Sequence, residues 1–214
     1  MPAETWATWR DSLFGDPEVI CDDGPDFGAL TEMVRSDRDL VASMLRAGLR
    51  ARDPLAAQSI GELALAGLAP PDAHVHLQAA APDSTGEFRI RVAQALRQLT
   101  KDESCASLVT SVLADEHEHW GTRLNAAIVL TEFAPTAPIL DAFKAGVLDP
   151  EYLVRYQCAD GLLRAAGRRP DISEHPQMYE LITAPGTGEP TDGDRRAWKA
   201  VAELLMTMVR VSLS

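Results

Sequence analysis

Positive charge is scarce in this sequence, and the scarcity limits the partners that the chain can bind. The 214 residues carry 20 lysines and arginines against 32 aspartates and glutamates, a formal net charge of -12 at pH 7. Binding to a nucleic-acid backbone depends on concentrated positive charge. The balance therefore argues against a nucleic-acid partner, although a local basic patch is compatible with it. The negative net charge is typical of a soluble protein, including one that binds a basic partner.

Cysteine and long apolar runs are also scarce. The three cysteines, Cys21, Cys105 and Cys158, form no CxxC pair, which favours reduced thiols in a cytoplasm over a disulfide framework. No apolar run approaches the roughly 18 residues that a membrane span needs. The first residues lack a basic segment before an apolar stretch, so we expect no secretory signal. These absences predict a cytoplasmic protein without a membrane segment.

Patterns typical of β-strands are missing as well, because no alternating run rich in β-branched residues is long enough to form a sheet. Apolar residues instead recur at helical spacing, and prolines punctuate the chain where first helical turns are expected. The sequence therefore predicts an all-α fold with paired helices. We place them near residues 28–35, 37–51, 54–67, 71–80, 86–100, 102–114, 119–133, 137–148 and 150–166.

Both ends of the chain differ from this helical middle. Residues 3–14 predict a short helix whose Trp6 and Trp9 pack on the first helical pair, and Arg195–Ser212 predicts a final amphipathic helix. We expect one domain over residues 1–214. Its predicted parts are an N-terminal cap at 1–36, repeats at 37–167, and a C-terminal cap at 168–214 with a flexible loop near 184–193.

A nine-residue segment recurs in the helical middle. Its arginines, Arg89, Arg123 and Arg155, are 34 and 32 residues apart. Residues that are small or β-branched follow each arginine at the third and fourth positions, and a leucine follows at the seventh. A weaker fourth copy ends at Leu63 and has Ala56 at the arginine position. Small residues at this spacing allow a neighbouring helix to approach closely, so a period near 33 residues predicts a helical solenoid.

This pattern resembles HEAT repeats, in which an aspartate precedes the arginine by six residues and the two bond between neighbouring repeats. Two copies keep that spacing, and the copy around Arg123 departs from it with His117. The resemblance covers residues 37–167 and implies an α-α superhelix, or α-solenoid, of about four helical pairs. Armadillo-like repeats are the nearest alternative. The residues assigned to internal joints of the repeat are Asp83, Arg89, Arg123, Asp149 and Arg155.

The second helix of each pair lines the concave surface in HEAT-like proteins, and binding uses that surface. On the side facing away from the buried positions, the sequence places amides and mixed charges, together with Leu65 and Ile128. Amides and arginines suit hydrogen bonds to a protein or peptide, whereas an ordinary solvated face is the alternative. The predicted binding residues are Gln58, Glu62, Arg91, Gln94, Gln98, Asn125, Glu132, Gln157, Asp160 and Arg164.

Motifs that carry chemistry are few. The chain has no GxSxG, HExxH, P-loop or GxGxxG motif, so no catalytic residue and no cofactor is predicted. The pairs His74/His76 and His117/His119 have a spacing that separates the two rings on a helix, whereas a zinc site prefers positions i and i+4. No metal is therefore predicted. In a loop the second pair, with acidic neighbours, stays a possible chelate.

The leading hypothesis is a non-enzymatic interaction module, an adaptor, scaffold or inhibitor that binds a protein partner on the concave face. A specialised version is an immunity or anti-toxin protein whose acidic surface neutralises a basic partner. A second class is an enzyme of the HEAT-like kind, similar to alkylpurine DNA glycosylases or to phycobilin lyase-type proteins that attach chromophores. A third is a structural module of a larger assembly or a dimer. The sequence leaves the oligomeric state open.

Overall fold

The computed structural model describes residues 5–15, 24–184 and 189–212. Within these ranges the chain forms twelve α-helices, two short 3-10 helices and no β-strand, which confirms the all-α prediction. Cys21 lies outside the described residues, and so do parts of the predicted N-terminal cap and of the loop near 184–193. Of the described helices, none is both long enough and apolar enough to cross a membrane.

The helices group into two compact units, unit 1 (Met1–Cys105) and unit 2 (Ala106–Ser214). Unit 1 contains α1 (Trp6–Phe14), α2 (Phe27–Ser36), α3 (Arg38–Arg50), α4 (Pro54–Leu65), α5 (Ala73–Ala80), α6 (Gly86–Thr100) and a 3-10 turn (Glu103–Cys105). Unit 2 contains α7 (Ala106–Leu113), α8 (Trp120–Leu130), α9 (Ala137–Gly146), α10 (Tyr152–Ala165), a 3-10 turn (Ile172–Glu174), α11 (Pro176–Thr183) and α12 (Asp192–Ser212). The single domain over 1–214 stays a prediction.

Aspartates placed just before apolar helical segments start several of these helices. The Asp37 carboxylate accepts a hydrogen bond from the Leu40 amide at 3.0 Å, and the Asp53 carboxylate accepts one from the Leu55 amide at 2.9 Å. Each satisfies an amide that has no partner in the first helical turn. Pro54 follows Asp53 in a position where its missing N–H costs nothing. Aspartates and a first-turn proline thus mark where these helices begin, and the proline position is as predicted.

Residues without bulky side chains bring neighbouring helices close together. In unit 1, α3 packs on α4, and a Cβ added to Gly48 would lie 2.5 Å from the Ala56 Cβ. In unit 2, α9 packs on α10, and a Cβ added to Gly161 would lie 2.7 Å from the Phe143 ring. Such contacts are too short for any larger residue, so the small residues fix the helix spacing.

The N-terminal helix joins unit 1 through its two tryptophans. Trp6 and Trp9 are both buried, and the Trp6 indole N–H donates to the Asp53 carboxylate at 2.8 Å. Arg10 donates to the same Asp53 oxygen at 2.9 Å. Because Asp53 also caps α4, one carboxylate connects α1 to the start of α4. The predicted packing of these tryptophans on the first helical pair is confirmed.

A buried ion pair connects the starts of α8 and α10 in unit 2. Arg123 donates through Nε to Asp149 Oδ2 at 2.8 Å and through Nη2 to Asp149 Oδ1 at 2.9 Å. This two-pronged geometry is the strongest form of such a pair, and hydrogen bonding to Asp149 raises the pKa of Arg123 above its ordinary value. Asp149, which precedes Arg155 by six residues, thus bonds to Arg123 of the preceding copy.

Arg155 is bonded to backbone oxygens rather than to a carboxylate. Its side chain is 1% exposed, and it donates to the backbone oxygens of Asp149 and Pro150, each at 2.7 Å, rather than to the Asp149 carboxylate. Its Nε donates to the Ile182 oxygen at 2.6 Å, and its guanidinium lies 3.9 Å from the centre of the Trp198 ring. Arg155 therefore joins α10 to α11 and α12.

The internal role predicted for Asp83 is wrong. Its side chain is exposed and forms no hydrogen bond within the described part of the chain. The next residue, Ser84, is fully buried instead, and its hydroxyl lies 3.4 Å from the Arg89 Nε that donates to it. The turn before α6 thus directs a serine inward where the aspartate was expected, and Arg89 stays a half-buried residue of α6.

Replacing Arg155 with alanine should destabilise the protein by about 2–4 kcal/mol, because the change leaves buried carbonyl groups without a donor. Urea unfolding followed by circular dichroism measures the loss as a lower midpoint. Arg164→Ala is the matched control, since Arg164 is an exposed arginine of the same helix and its loss should change stability by less than about 0.5 kcal/mol. An Arg155→Ala midpoint equal to that of the wild type would contradict the assignment.

Candidate functional site

The ten predicted binding residues divide evenly between the two units. Those of unit 1 lie on α4 and α6, and those of unit 2 lie on α8 and α10 or directly after α8. In each unit the two helices pack against one another. Each unit therefore has its own candidate surface, here called face 1 (Gln58, Glu62, Leu65, Arg91, Gln94 and Gln98) and face 2 (Asn125, Ile128, Glu132, Gln157 and Arg164).

On face 1, some side chains have no hydrogen-bonding partner, whereas others are held by neighbouring side chains. Gln58, Glu62 and Gln98 are half-exposed, and their side chains form no hydrogen bond within the described residues. Arg91, in contrast, pairs with Glu87 at 2.7 Å and donates to Gln94 Oε1 at 2.9 Å, so these side chains are held along α6. At the end of α4, Leu65 is 62% exposed. The free amides and the exposed leucine are the elements available for a partner.

Face 2 has an aliphatic residue among polar ones. Ile128 is 44% exposed on α8, and Glu132 is exposed one turn further along the chain. On the neighbouring α10, Gln157 is half-exposed and Arg164 is exposed; neither side chain has a hydrogen-bonding or ion-pair partner among the described residues. An aliphatic centre with a polar rim is the usual anatomy of a protein-protein contact surface.

Asp160 does not belong to this face, and the prediction that its side chain is available for recognition is wrong. The residue is 8% exposed, and its carboxylate accepts a hydrogen bond from the Ile172 amide at 2.7 Å. The 3-10 turn Ile172–Glu174 packs over α10 at this point. Burial raises the pKa of Asp160 to about 6, although the Ile172 amide acts in the opposite direction. Asp160 thus fastens a turn to the helix.

In the described part of the chain, neither histidine pair belongs to a group of three metal-ligating side chains. Within residues 5–15, 24–184 and 189–212, no group of three histidine, cysteine or acidic side chains has the arrangement to hold a metal ion. His76 pairs with Asp72 at 3.2 Å, and the His119 ring accepts a hydrogen bond from the Gly121 amide at the start of α8. These two histidines therefore have structural partners.

The two described cysteines are packing residues. Cys158 is fully buried and faces Gly146, and Cys105 is also buried. Burial raises the pKa of the Cys105 thiol to about 11 and raises that of Cys158 as well. A reactive thiol needs the thiolate form near neutral pH, so neither group is suited to nucleophilic chemistry.

Sequence reasoning missed a group of arginines at the end of α3. Arg46, Arg50 and Arg52 line one cavity of unit 1. Two signals were present in the sequence: Arg46 and Arg50 are one helical turn apart, and Arg52 follows at the point where the helix ends. The repeat alignment did not reveal the group, because α3 is the first helix of a pair and the alignment compares second helices.

Comparison with known proteins supplies no relative. The chain matched no protein family, no curated protein and no solved structure. Faces 1 and 2 and the arginine cavity must therefore be interpreted from their own chemistry.

The buried Asp160 carboxyl should make stability depend on pH. Because the folded protein holds this proton up to about pH 6 while the unfolded chain releases it near pH 4, stability should fall as the pH rises between these values. Asp160→Asn removes this contribution and keeps an oxygen for the Ile172 amide. We expect the free energy of unfolding of the variant, relative to the wild type, to rise by about 1–3 kcal/mol between pH 4 and pH 7.

Urea unfolding at several pH values measures this difference. Asp141→Asn is the matched control, because Asp141 is an exposed aspartate of the same unit. Parallel pH profiles for the wild type and Asp160→Asn would show that Asp160 does not contribute.

Proposed function

We propose that the chain is a non-enzymatic interaction module that binds a protein or peptide partner through faces 1 and 2. The observation that carries the proposal is the unused hydrogen-bonding capacity around an exposed aliphatic residue on each face. Gln58 and Gln157 have no side-chain partner among the described residues, and Leu65 and Ile128 are exposed on the same two faces. An amide forms directional hydrogen bonds, while the aliphatic residue loses contact with water when a partner covers it.

The charges of face 2 favour a protein partner over a nucleic acid. Glu132 and Arg164 are both exposed, so the face carries charges of opposite sign rather than a basic strip. A phosphate backbone would be repelled by Glu132 and by the net charge of -12. A polypeptide offers both donors and acceptors, together with apolar side chains that complement Ile128.

We further propose that the helical pairs of each unit are HEAT-like. Two features support the proposal. Helices two apart along the chain pack together, α4 on α6 and α8 on α10, as stacked helical pairs require. Arg123 of one copy bonds to Asp149 of the next copy, which is the joint that the resemblance implies. Adaptor, scaffold and inhibitor roles all use the same kind of face, and a partner's identity distinguishes them.

The test is a quantitative affinity capture from native lysate with variants of face 2. Ile128→Glu should reduce capture of the partner at least about tenfold, because it places a charge where the partner covers an aliphatic side chain. Gln157→Ala, Arg164→Glu and Glu132→Arg should reduce capture by smaller factors. Arg196→Glu is the matched control for Arg164→Glu, since Arg196 is an exposed arginine on α12 of the same unit.

Circular dichroism melts of every variant distinguish lost binding from lost folding. Equal capture by the wild type and all face 2 variants would contradict the proposal for this face. Tight binding of duplex DNA, with an affinity that falls steeply as salt is added, would favour a glycosylase-like protein instead.

A further inference from the structure

The arginine cavity of unit 1 combines basic groups with an apolar wall. It has a volume of about 240 Å³, and two of its lining residues, Leu49 and Phe88, are buried core side chains. Around this wall stand Arg46, Arg50 and Arg52, with His76 and Asp83 also in the lining. The cavity is therefore large enough for a small organic group, and its polar side is dominated by guanidinium groups.

Much of the positive charge in this cavity has no partner in the protein. Arg46 uses its Nε to pair with Asp72 at 3.1 Å, and Asp72 is also paired with His76. In the part of the chain that the structure describes, the side chains of Arg50 and Arg52 form no hydrogen bond and no ion pair. Both residues are exposed, so their guanidinium groups are available to an anion that enters the cavity.

The backbone at Arg52 is strained in a way that glycine would relieve. Arg52 follows the end of α3 with a φ of 56°, and the Asp53 amide donates to the Gly48 oxygen, which is the hydrogen bond of a Schellman turn. Equivalent turns after α4 and α10 have Gly67 and Gly167 at this position. A side chain in this left-handed region costs stability, and retained strain is a reason to look for function.

From these three observations we propose that the cavity binds a phosphate-type dianion carried by a small organic molecule. The unpaired guanidinium groups of Arg50 and Arg52 supply two positive charges, which a phosphate monoester balances near neutral pH. The apolar part of the ligand lies against Leu49 and Phe88. Asp83 repels the phosphate and lowers its affinity. None of the residues that line the cavity belongs to face 1 or face 2, so the site is distinct from both.

Calorimetric titration of the full chain in a phosphate-free buffer at low salt tests the proposal, with phenyl phosphate and inorganic phosphate as probes. We expect saturable binding of phenyl phosphate that weakens as salt is added. Tighter binding of phenyl phosphate than of inorganic phosphate supports an organic ligand. Equal affinities identify free phosphate as the ligand and contradict the proposed contact of an apolar group with Leu49 and Phe88. Absence of saturable binding by both probes overturns the site.

Three variants separate binding from folding. Arg50→Gln should weaken phenyl phosphate binding about tenfold or more, because it removes one unpaired charge. Arg52→Gly should weaken binding similarly while leaving Tm unchanged or raising it by up to about 4 °C, because glycine accepts the backbone conformation without strain. Asp83→Asn should strengthen binding severalfold, because it removes the repelling carboxylate.

Arg35→Gln is the matched control, since Arg35 is an exposed arginine of the same unit that does not line the cavity. Its affinity for phenyl phosphate should equal that of the wild type. Equal losses in Arg35→Gln and Arg50→Gln would show a general charge effect and overturn the site, as would unchanged affinity in Arg52→Gly.

Discussion

The buried guanidinium of Arg155 is the interaction on which unit 2 depends. It donates to backbone oxygens before α10 and at the end of α11, and it packs on Trp198 of α12. Burial disfavours its charge and lowers its pKa, so the charge is tolerated only while these acceptors are in place. Three segments that are distant in sequence must therefore assemble together around one side chain. Arg155 therefore stabilises the folded structure of unit 2 and is not part of a binding surface.

The same requirement limits what the rest of α10 offers to a partner. Most of the helix is buried against its neighbours, and the turn Ile172–Glu174 covers Asp160, so only Gln157 and Arg164 of the predicted set reach the surface. Face 2 consequently depends on α8 for its aliphatic centre, Ile128. Binding by such a surface needs no catalytic group. It needs rigid helices that hold the unpaired amide of Gln157 and an exposed aliphatic side chain in fixed positions.

Faces 1 and 2 and the arginine cavity suit different ligands because their chemistry differs. The faces carry amides, mixed charges and one exposed aliphatic residue each, which suits the varied surface of a polypeptide. The cavity carries guanidinium groups that lack partners beside an apolar wall, which suits an anion with an organic part. An acidic chain can thus contain one basic site, because charge at short range is set by neighbouring side chains and not by the net charge.

Much of the fold was predictable from the sequence, because helix periodicity, aspartate caps and first-turn prolines act over a few residues. The resemblance inferred from the repeat also placed Arg123 and Asp149 among the internal contacts, although it did not pair them with each other. Tertiary structure alone decided the rest. It turned Ser84 inward in place of Asp83, covered Asp160 with a turn twelve residues later in the chain, and placed Arg52 beside Phe88 in one cavity. The positions of Asp160 and Arg52 depend on contacts between residues far apart in sequence, which a local pattern does not encode.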